Sequence, residues 1–521
     1  MSEDPAAEIL RTIPPRIQDI LTPWVEGMPD HAALVEGSGT WSYRQLSEAI
    51  ARAEVLLRQK GVRAGDRVMI VAENSRVFVA LMMGTFRIGA WAVPVNAHLS
   101  AREVDEIRDH CSARCVIYTT KVSVAARQHA KRHGAETVEF EEGGTIGIGP
   151  LNEGAVPEPA GESKDDAIAV LVYTSGTTGK PKGVMLTHKN ILFVGAVASR
   201  IRSLTPEDRL YGVLPISHIV GLSVVLLGTL MSGATLYLES LFNPVSVLGG
   251  LEKHKITIVL GVPSMYSLLV EYAKSKGIEK LSLPSLRIIS CSGAPLYLGL
   301  KQDVERLLGM PLHNAYGVSE MAPNVSQIRV GKQRNDISVG PLIPGVKARL
   351  IGKDGSLVPE GEVGELRVIG PNMMKGYYKA PEETAAAFDS EGWFNTRDLA
   401  RFEGENLFIV GRSKELIVRF GFNVYPAEVE AVLNGHPDVA RSAVIGRAGV
   451  GVVGQEEVIA FIELAPGSGT TSQELSAYAA QRLAPYKQPN QILIVQSMPQ
   501  TATGKIIKGE LAKLLATEMP T

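Results

Sequence analysis

Three times within the first 120 residues, a segment with apolar positions at helical spacing gives way to a short apolar run. This alternation constrains the fold more than any other feature. "SYRQLSEAIARAEVLLRQKG" predicts an amphipathic helix, with Gly61 well suited to end it. "DRVMIVAEN" follows as a strand that is apolar on both faces. "VFVALMMGTFRIGAWAVPVN" and "REVDEIRDHCSARCVIYTT" repeat the order. Buried strands joined by helices require parallel pairing with crossover connections, so the chain reads as α/β.

A chain of 521 residues is too long for one core, and two or more domains are expected. "EEGGTIGIGPLNEGAVPEPAGES" reads as a loop by composition, leading to the strand "DAIAVLVYT". Beyond residue 330 the texture changes to short strands with turns between them: "VGELRVIG", "GYYKAPEETAAAF" and "LFIVGR". After Arg412 comes a smaller α+β unit. Its strands are "KELIVRFGFNV", "VARSAVIG" and "VIAFIEL", and its helices "PAEVEAVLNG" and "SQELSAYAAQRL". The expected division is 1–410 and 411–521.

The net charge of −2 provides no global field for nucleic acid or an anionic membrane, so any polyanion site must be local. Three cysteines suit a reducing compartment and exclude a disulfide scaffold. In "DHCSARC", Cys111 and Cys115 stand one helical turn apart beside His110, without a further ligand cluster, and read as packing residues. The N-terminus "MSEDPAAEILRTIPP" is unlike a secretory signal or a basic transit peptide. No Asp, Glu, Lys or Arg occurs from Leu210 to Leu238, but Pro215, His218 and four glycines interrupt the run. A buried strand, loop and core helix account for it better than a membrane span. A cytoplasmic protein is expected.

The chemistry is concentrated in "YTSGTTGKPKGVMLTH". The ten residues from Thr174 to Gly183 hold four hydroxyls, three glycines and two lysines, directly after a buried strand. Glycines let the backbone approach a phosphate closely, hydroxyls and N–H groups bond to its oxygens, and Lys180 and Lys182 add positive charge. A Walker A loop is excluded by spacing: the residue five before Gly179 is Thr174, and Pro181 follows Lys180.

The loop resembles the signature of the adenylate-forming superfamily, which includes acyl-CoA synthetases, luciferases and the adenylation domains of peptide synthetases. Further matches follow in the same order along essentially the whole chain. The resemblance implies a large N-terminal domain of stacked α/β subdomains with a small barrel-like β subdomain, then a small mobile α+β domain. It implies ATP contacts from Thr174, Ser175, Gly176, Thr177, Thr178, Gly179, Lys180 and Lys182. "LPISHIVGL" resembles the motif lining the carboxylate pocket, with His218 as its key residue. "CSGAPL" resembles the turn beneath adenine, implying Gly293, Ala294 and Pro295. "NAYGVSEM" implies Asn314, Ala315, Tyr316 and Gly317 at the adenine, Ser319 at phosphate and Glu320 at Mg²⁺. A hard divalent cation beside a triphosphate wants such a carboxylate in any case.

"GWFNTRDLA" resembles a turn whose aspartate grips the ribose, here Asp398, with Arg397 where glycine is usual. "GRSKELIVRFGFNVYPAEVE" implies Arg412 at ribose or phosphate, Lys414 as hinge and Gly421 at the thiol tunnel. Many relatives carry a basic residue where this chain has Val418 or Phe420. "PQTATGKIIK" implies Lys505 as the catalytic lysine. The spacing Pro499-x-x-x-x-Gly504-Lys505 resembles sites used by bacterial lysine acetyltransferases.

The family's reaction converts a carboxylate to an acyl-adenylate with loss of pyrophosphate, then displaces AMP with a thiol. In family members the small domain rotates between the steps. The chain most resembles a carboxylate:CoA ligase using ATP, Mg²⁺ and coenzyme A, as a monomer or homodimer. A peptide-synthetase domain would carry an aspartate near the pocket motif, which "GVLPISHIVGLSVV" lacks, and no carrier domain is expected after Lys505. An oxygenase-type enzyme sharing the adenylate, or a nonenzymatic nucleotide binder, are the remaining alternatives. The acyl pocket implied by the motifs is Val220, Gly221, Val224, Met321 and Asn324, mostly small or apolar. An aromatic or medium-chain aliphatic monocarboxylate is expected rather than a malonate-like acid.

Overall fold

The computed structural model describes residues 5–37, 39–140, 143–159, 167–174, 182–419, 422–448, 456–501 and 504–517. Two eight-stranded sheets form its frame. In the first, five strands run parallel to their neighbours in the order Leu312–Gly317, Ile288–Cys291, Ile258–Gly261, Arg209–Gly212 and Thr235–Leu238. Ala32–Glu36 continues the parallel run, and antiparallel strands Gly39–Ser42 and Asn324–Gln327 close the two edges. The second sheet has Arg67–Ala72 paired in parallel with Trp91–Asn96 and Cys115–Tyr118. Ile168–Thr174 and Lys182–Thr187 form an antiparallel hairpin in the same sheet.

The helices form where side chains can satisfy their first N–H groups. Ser42 caps Tyr43–Gln59 in a reciprocal box with Gln45, and Ser75 caps Arg76–Ile88 by accepting from Phe78. Arg76–Ile88 and His188–Arg202 are apolar around nearly their whole circumference and are buried along most of their length. Phe78, Leu81, Phe193 and Leu226 join residues from both large sheets in one core.

Beyond these sheets, Lys347–Ile351, Gly364–Ile369, Phe394–Glu403 and Asn406–Arg412 make a four-stranded antiparallel sheet. The last unit has a three-stranded sheet of Val439–Ala448, Glu456–Leu464 and Gln491–Ile494, flanked by helices that include Pro426–Leu433, Ser472–Ala480 and Lys508–Thr517. Its two apolar clusters, one around Val429, Leu433 and Ile462 and one around Phe461 and Leu511, contain no residue from before Ile417.

Three local expectations are corrected. Gly144–Ile148 is a strand, not loop, because it pairs antiparallel with Glu136–Phe140 and reaches Ile117 and Tyr118. Long-range pairing there overrides a glycine-rich composition. Pro381–Ala387 is a helix within "GYYKAPEETAAAF", started by its proline. Cys111 ends the helix Ala101–Cys111 whereas Cys115 begins a strand, so they are not on one helix face. Each is packed in a different apolar core, and burial pushes both thiols up to about 12. The uncharged run from Leu210 to Leu238 contains two parallel strands joined through the π-helix Val220–Leu227 and the short helix Gly228–Met231. Among the described residues no helix is long and apolar enough to cross a membrane.

Candidate active site

The C-terminal ends of parallel strands are where an open α/β sheet leaves a crevice, because the chain departs there to opposite faces. Ile288–Cys291 ends in the turn carrying Gly293, Ala294 and Pro295, and Gly293 takes φ +86°. Beside it, Leu312–Gly317 brings Asn314, Ala315, Tyr316 and Gly317 to the same edge. Asn314 is buried, and its amide donates to the carbonyl of Ile337 at 3.0 Å.

Tyr316, Asp398 and Arg412 meet across three strands. The Tyr316 phenol donates to Asp398 Oδ2, while Arg412 Nε donates to Asp398 Oδ1 at 3.1 Å. Asp398 is 4% exposed. Burial raises its pKa, and the Arg412 charge and Tyr316 hydrogen bond oppose that rise. Burial and the Asp398 charge together drive the Tyr316 phenol far above its ordinary value. The site thus holds a carboxylate between a phenol O–H and a guanidinium, an acceptor suited to vicinal hydroxyls. Arg397 takes φ +61°, the left-handed conformation that glycine adopts most readily, so the arginine preserves the turn. Its N–H donates to Asn395 Oδ1 at 2.9 Å.

Ser319 and Glu320 lie in a short 3₁₀ turn, Ser319–Met321. Glu320 Oε1 accepts the Tyr377 O–H at 2.7 Å, and its carbonyl accepts from Met374 N at 2.8 Å. Tyr377 pairs with Val184 on the phosphate-loop hairpin, and Lys182 Nζ lies 5.1 Å from the Tyr377 ring. Thr174 stands opposite Lys182 at the base of that hairpin. Glu320 is therefore tied to the loop's exit strand through Tyr377. Ser175, Gly176, Thr177, Thr178, Gly179 and Lys180 lie outside the described residues, as does Gly421.

The pocket wall is built on the π-helix. His218 N–H donates to the Pro215 carbonyl at 3.0 Å, and Val220 N–H donates to His218 Nδ1 at 3.3 Å. Nδ1 accepting leaves Nε2 to carry the proton of the neutral ring. His218 is solvent-exposed, although protein atoms crowd around its ring. Burial, then the nearby Lys505 charge, bring its pKa down to about 4. Gly221 is required by close approach, because a Cβ there would lie 2.1 Å from the Pro215 carbonyl oxygen. Val224 and Met321 are buried, Val220 is half-buried and Asn324 is 7% exposed. Ser223 Oγ donates to the carbonyls of Ile219 and Ala322, each at 2.7 Å, tying the helix to the segment after Met321.

Lys505 comes from the last unit. Its N–H donates to Thr501 Oγ1 at 3.1 Å, and its carbonyl accepts from Thr501 N at 2.8 Å. The preceding Gly504 abuts the large unit so closely that a Cβ would lie 2.6 Å from Ser264 Oγ. Burial and the Arg412 charge lower the Lys505 pKa, while Asp398 and Glu415 act to raise it. The structure thus gathers Lys505, His218, Asp398 and Arg412 at one cleft. Lys414 lies in the 3₁₀ turn Ser413–Glu415, where Ser413 Oγ contacts Glu365 Oε1 at 2.7 Å and the Arg397 carbonyl at 3.1 Å. Sequence reasoning missed Tyr377, because its partner Glu320 lies 57 residues away. The only local signal was a tyrosine pair inside a polar turn.

The family model for AMP-binding enzymes matches residues 21–378, and that for the AMP-binding enzyme C-terminal domain matches residues 428–505. A feruloyl-CoA synthase from an Amycolatopsis species is 36% identical over 497 residues, covering 93% of this chain and 96% of that enzyme. The 4-coumarate–CoA ligase 3 of Oryza sativa subsp. japonica is 30% identical, over 92% of this chain and 88% of that enzyme. An o-succinylbenzoate CoA synthetase from Bacillus subtilis, solved with its acyl-adenylate, superimposes with a TM-score of 0.81 at 28% identity, covering 95% of this chain and 97% of that one. Family models that together span most of the chain, and relatives at 30% identity or more matched along nearly their full length, show that the chain belongs to the AMP-binding enzyme family as an AMP-forming acyl-CoA synthetase that uses ATP and CoA.

Proposed function

We propose that the acid activated here is an aromatic monocarboxylate of the hydroxycinnamate type. Two kinds of support converge on it. The relatives at 30–36% identity include enzymes named for feruloyl and 4-coumarate. The pocket residues Val220, Gly221, Val224, Met321 and Asn324 carry no charge that would meet a second carboxylate. Leaving such a group buried and unpaired costs several kcal/mol, on the order of the effective penalty per ion.

In this reading the carboxylate oxygen attacks the α-phosphorus of ATP and the bond to pyrophosphate breaks. Thr174 and Lys182, with Ser175, Gly176, Thr177, Thr178, Gly179 and Lys180, hold the phosphates. Asp398 accepts from the ribose hydroxyls, Tyr316 packs against adenine, and Arg412 orients Asp398. The neutral His218 donates from Nε2 to the substrate carboxylate without adding a competing charge. Lys505 supplies an ammonium where negative charge grows on the phosphoryl oxygens. The thiol of CoA then attacks the acyl carbon and AMP leaves. Lys414 is the hinge for the rearrangement between steps, with 1–410 and 411–521 as the two bodies and Gly421 at the thiol's path.

Mg²⁺ fits this donor set. It commonly takes one or two carboxylates and completes its shell with substrate phosphates and water, and Glu320 offers one carboxylate beside the phosphate hairpin. The same neighbouring o-succinylbenzoate synthetase has been solved with ATP and magnesium ion. Bound at Glu320, the ion would offset charge on the departing phosphates.

The arrival of Lys505 at the cleft shared by His218, Asp398 and Arg412 carries the adenylation reading, and the uncharged pocket carries the substrate class. A panel of acids assayed for CoA-dependent AMP release tests the substrate class. Ferulate or 4-coumarate should exceed octanoate, malonate and succinate in kcat/KM. A dicarboxylate or octanoate at the top of the panel would overturn the assignment.

A further inference from the structure

The two units have separate apolar cores, and polar contacts run between them. One of these is buried and charged. Tyr297, just after the Gly293–Pro295 turn, donates its phenol O–H to Glu430 Oε2 at 3.0 Å. Glu430 is 4% exposed on the helix Pro426–Leu433, and its other oxygen accepts from Val444 N at 2.8 Å and from Lys508 Nζ at 2.7 Å. Lys508 also reaches Glu415 Oε2 at 2.9 Å, at the end of the turn Ser413–Glu415. It opens the final helix, three residues after Lys505. A continuous polar chain therefore runs from the large unit to the segment that carries the active-site lysine.

We propose that Tyr297 is a positioning residue for the adenylating arrangement, anchoring the small unit through Glu430 and Lys508 so that Lys505 stands in the cleft. Three physical points support this. Glu430 and Lys508 already satisfy each other within the small unit, so they persist when the units part. Tyr297 is the partner that separation removes, and its O–H can then turn to water. Hydrogen bonds to a buried carboxylate are among the stronger ones, which makes a single phenol sufficient to bias a two-state arrangement. The phenol O–H is spent on Glu430, so the anchor acts through the small unit and Lys505 and not by a bond to the substrate.

The test uses Tyr297→Phe in the full-length enzyme, with dyes on Glu279→Cys and Gln481→Cys, both exposed, while the three native thiols are buried. Energy transfer should show the open-to-closed ratio rising roughly tenfold, as expected for loss of one hydrogen bond to a charged group. Pyrophosphate exchange should slow by up to the same factor, whereas thiolysis of supplied acyl-adenylate should not slow. On top of Lys505→Ala, Tyr297→Phe should cause no further loss of exchange. An unchanged distance distribution overturns the anchor, as does an equal loss in both half-reactions. The inference rests on Lys505 acting in adenylation. If Lys505→Ala left exchange intact, that assignment would fail, and the distance measurement would still decide the anchor.

Discussion

Arg412 and Asp398 are cross-strand partners at the end of the ladder between Phe394–Glu403 and Asn406–Arg412, and their side chains meet at 3.1 Å. The pairing places a guanidinium against a carboxylate that is almost fully buried, with the Tyr316 phenol on the other oxygen. It also leads directly into the turn Ser413–Glu415, the proposed hinge. Replacing Asp398 by Asn keeps the shape but removes the charge and one strong acceptor. The expected result is a fall of roughly 10- to 100-fold in kcat/KM for ATP, expressed mainly in KM, from loss of hydrogen bonds to a charged group. Steady-state kinetics with varied ATP checks it, and an unchanged KM would remove Asp398 from the nucleotide site.

The pH dependence of adenylation follows from two shifted groups. His218 is pushed down to about 4 by burial and by Lys505, so it stays neutral across the physiological range. The acid limb due to this ring should lie near 4, and no His218-dependent inflection should occur near the ordinary value of about 6.5. Lys505 is lowered by burial and Arg412, and its proposed role in adenylation requires the charged form. Its alkaline limb should therefore arrive below the ordinary lysine range, activity falling as pH rises through the shifted value. Pyrophosphate exchange rates against pH, for wild type and His218→Asn, read both limbs. A wild-type inflection near 6.5 that vanishes in His218→Asn contradicts the neutral-ring assignment.

Lys505→Ala should slow acyl-adenylate formation by about 10²–10³, the usual cost of removing a preorganised stabilising group. Conversion of supplied adenylate to thioester should be spared. Acetylation of Lys505 removes the same charge and should reproduce the alanine phenotype. Quench-flow on the first half-reaction, beside thiolysis of synthetic adenylate, separates the two steps. Near wild-type rates in both would show that another group performs this task.

Gly221→Ala should destabilise the large unit rather than merely narrow its pocket. The added Cβ would meet backbone atoms of Pro215 and Ile216, which cannot swing aside like a side chain. Overpacking of this kind costs about 1–3 kcal/mol or more. Denaturant unfolding should show a lower midpoint, accompanied by weaker acid binding. A variant as stable as wild type would mean that the π-helix shifts freely.

What the sequence determined by itself was local. Apolar spacing placed the helices Tyr43–Gln59 and Arg76–Ile88 and the strands beside them, because amphipathic period and capping residues act within a few positions. The order of motifs carried the family for the same reason. The tertiary structure decided everything that depends on partners far apart in the chain. Gly144–Ile148 entered the large sheet by pairing with Ile117 and Tyr118, and Cys115 left the helix face of Cys111 by joining the same sheet. Tyr377 meets Glu320 across 57 residues and Tyr297 meets Glu430 across 133. No spacing rule connects such pairs, since they are set by how separately folded elements pack and by the need to satisfy each polar group buried in the process.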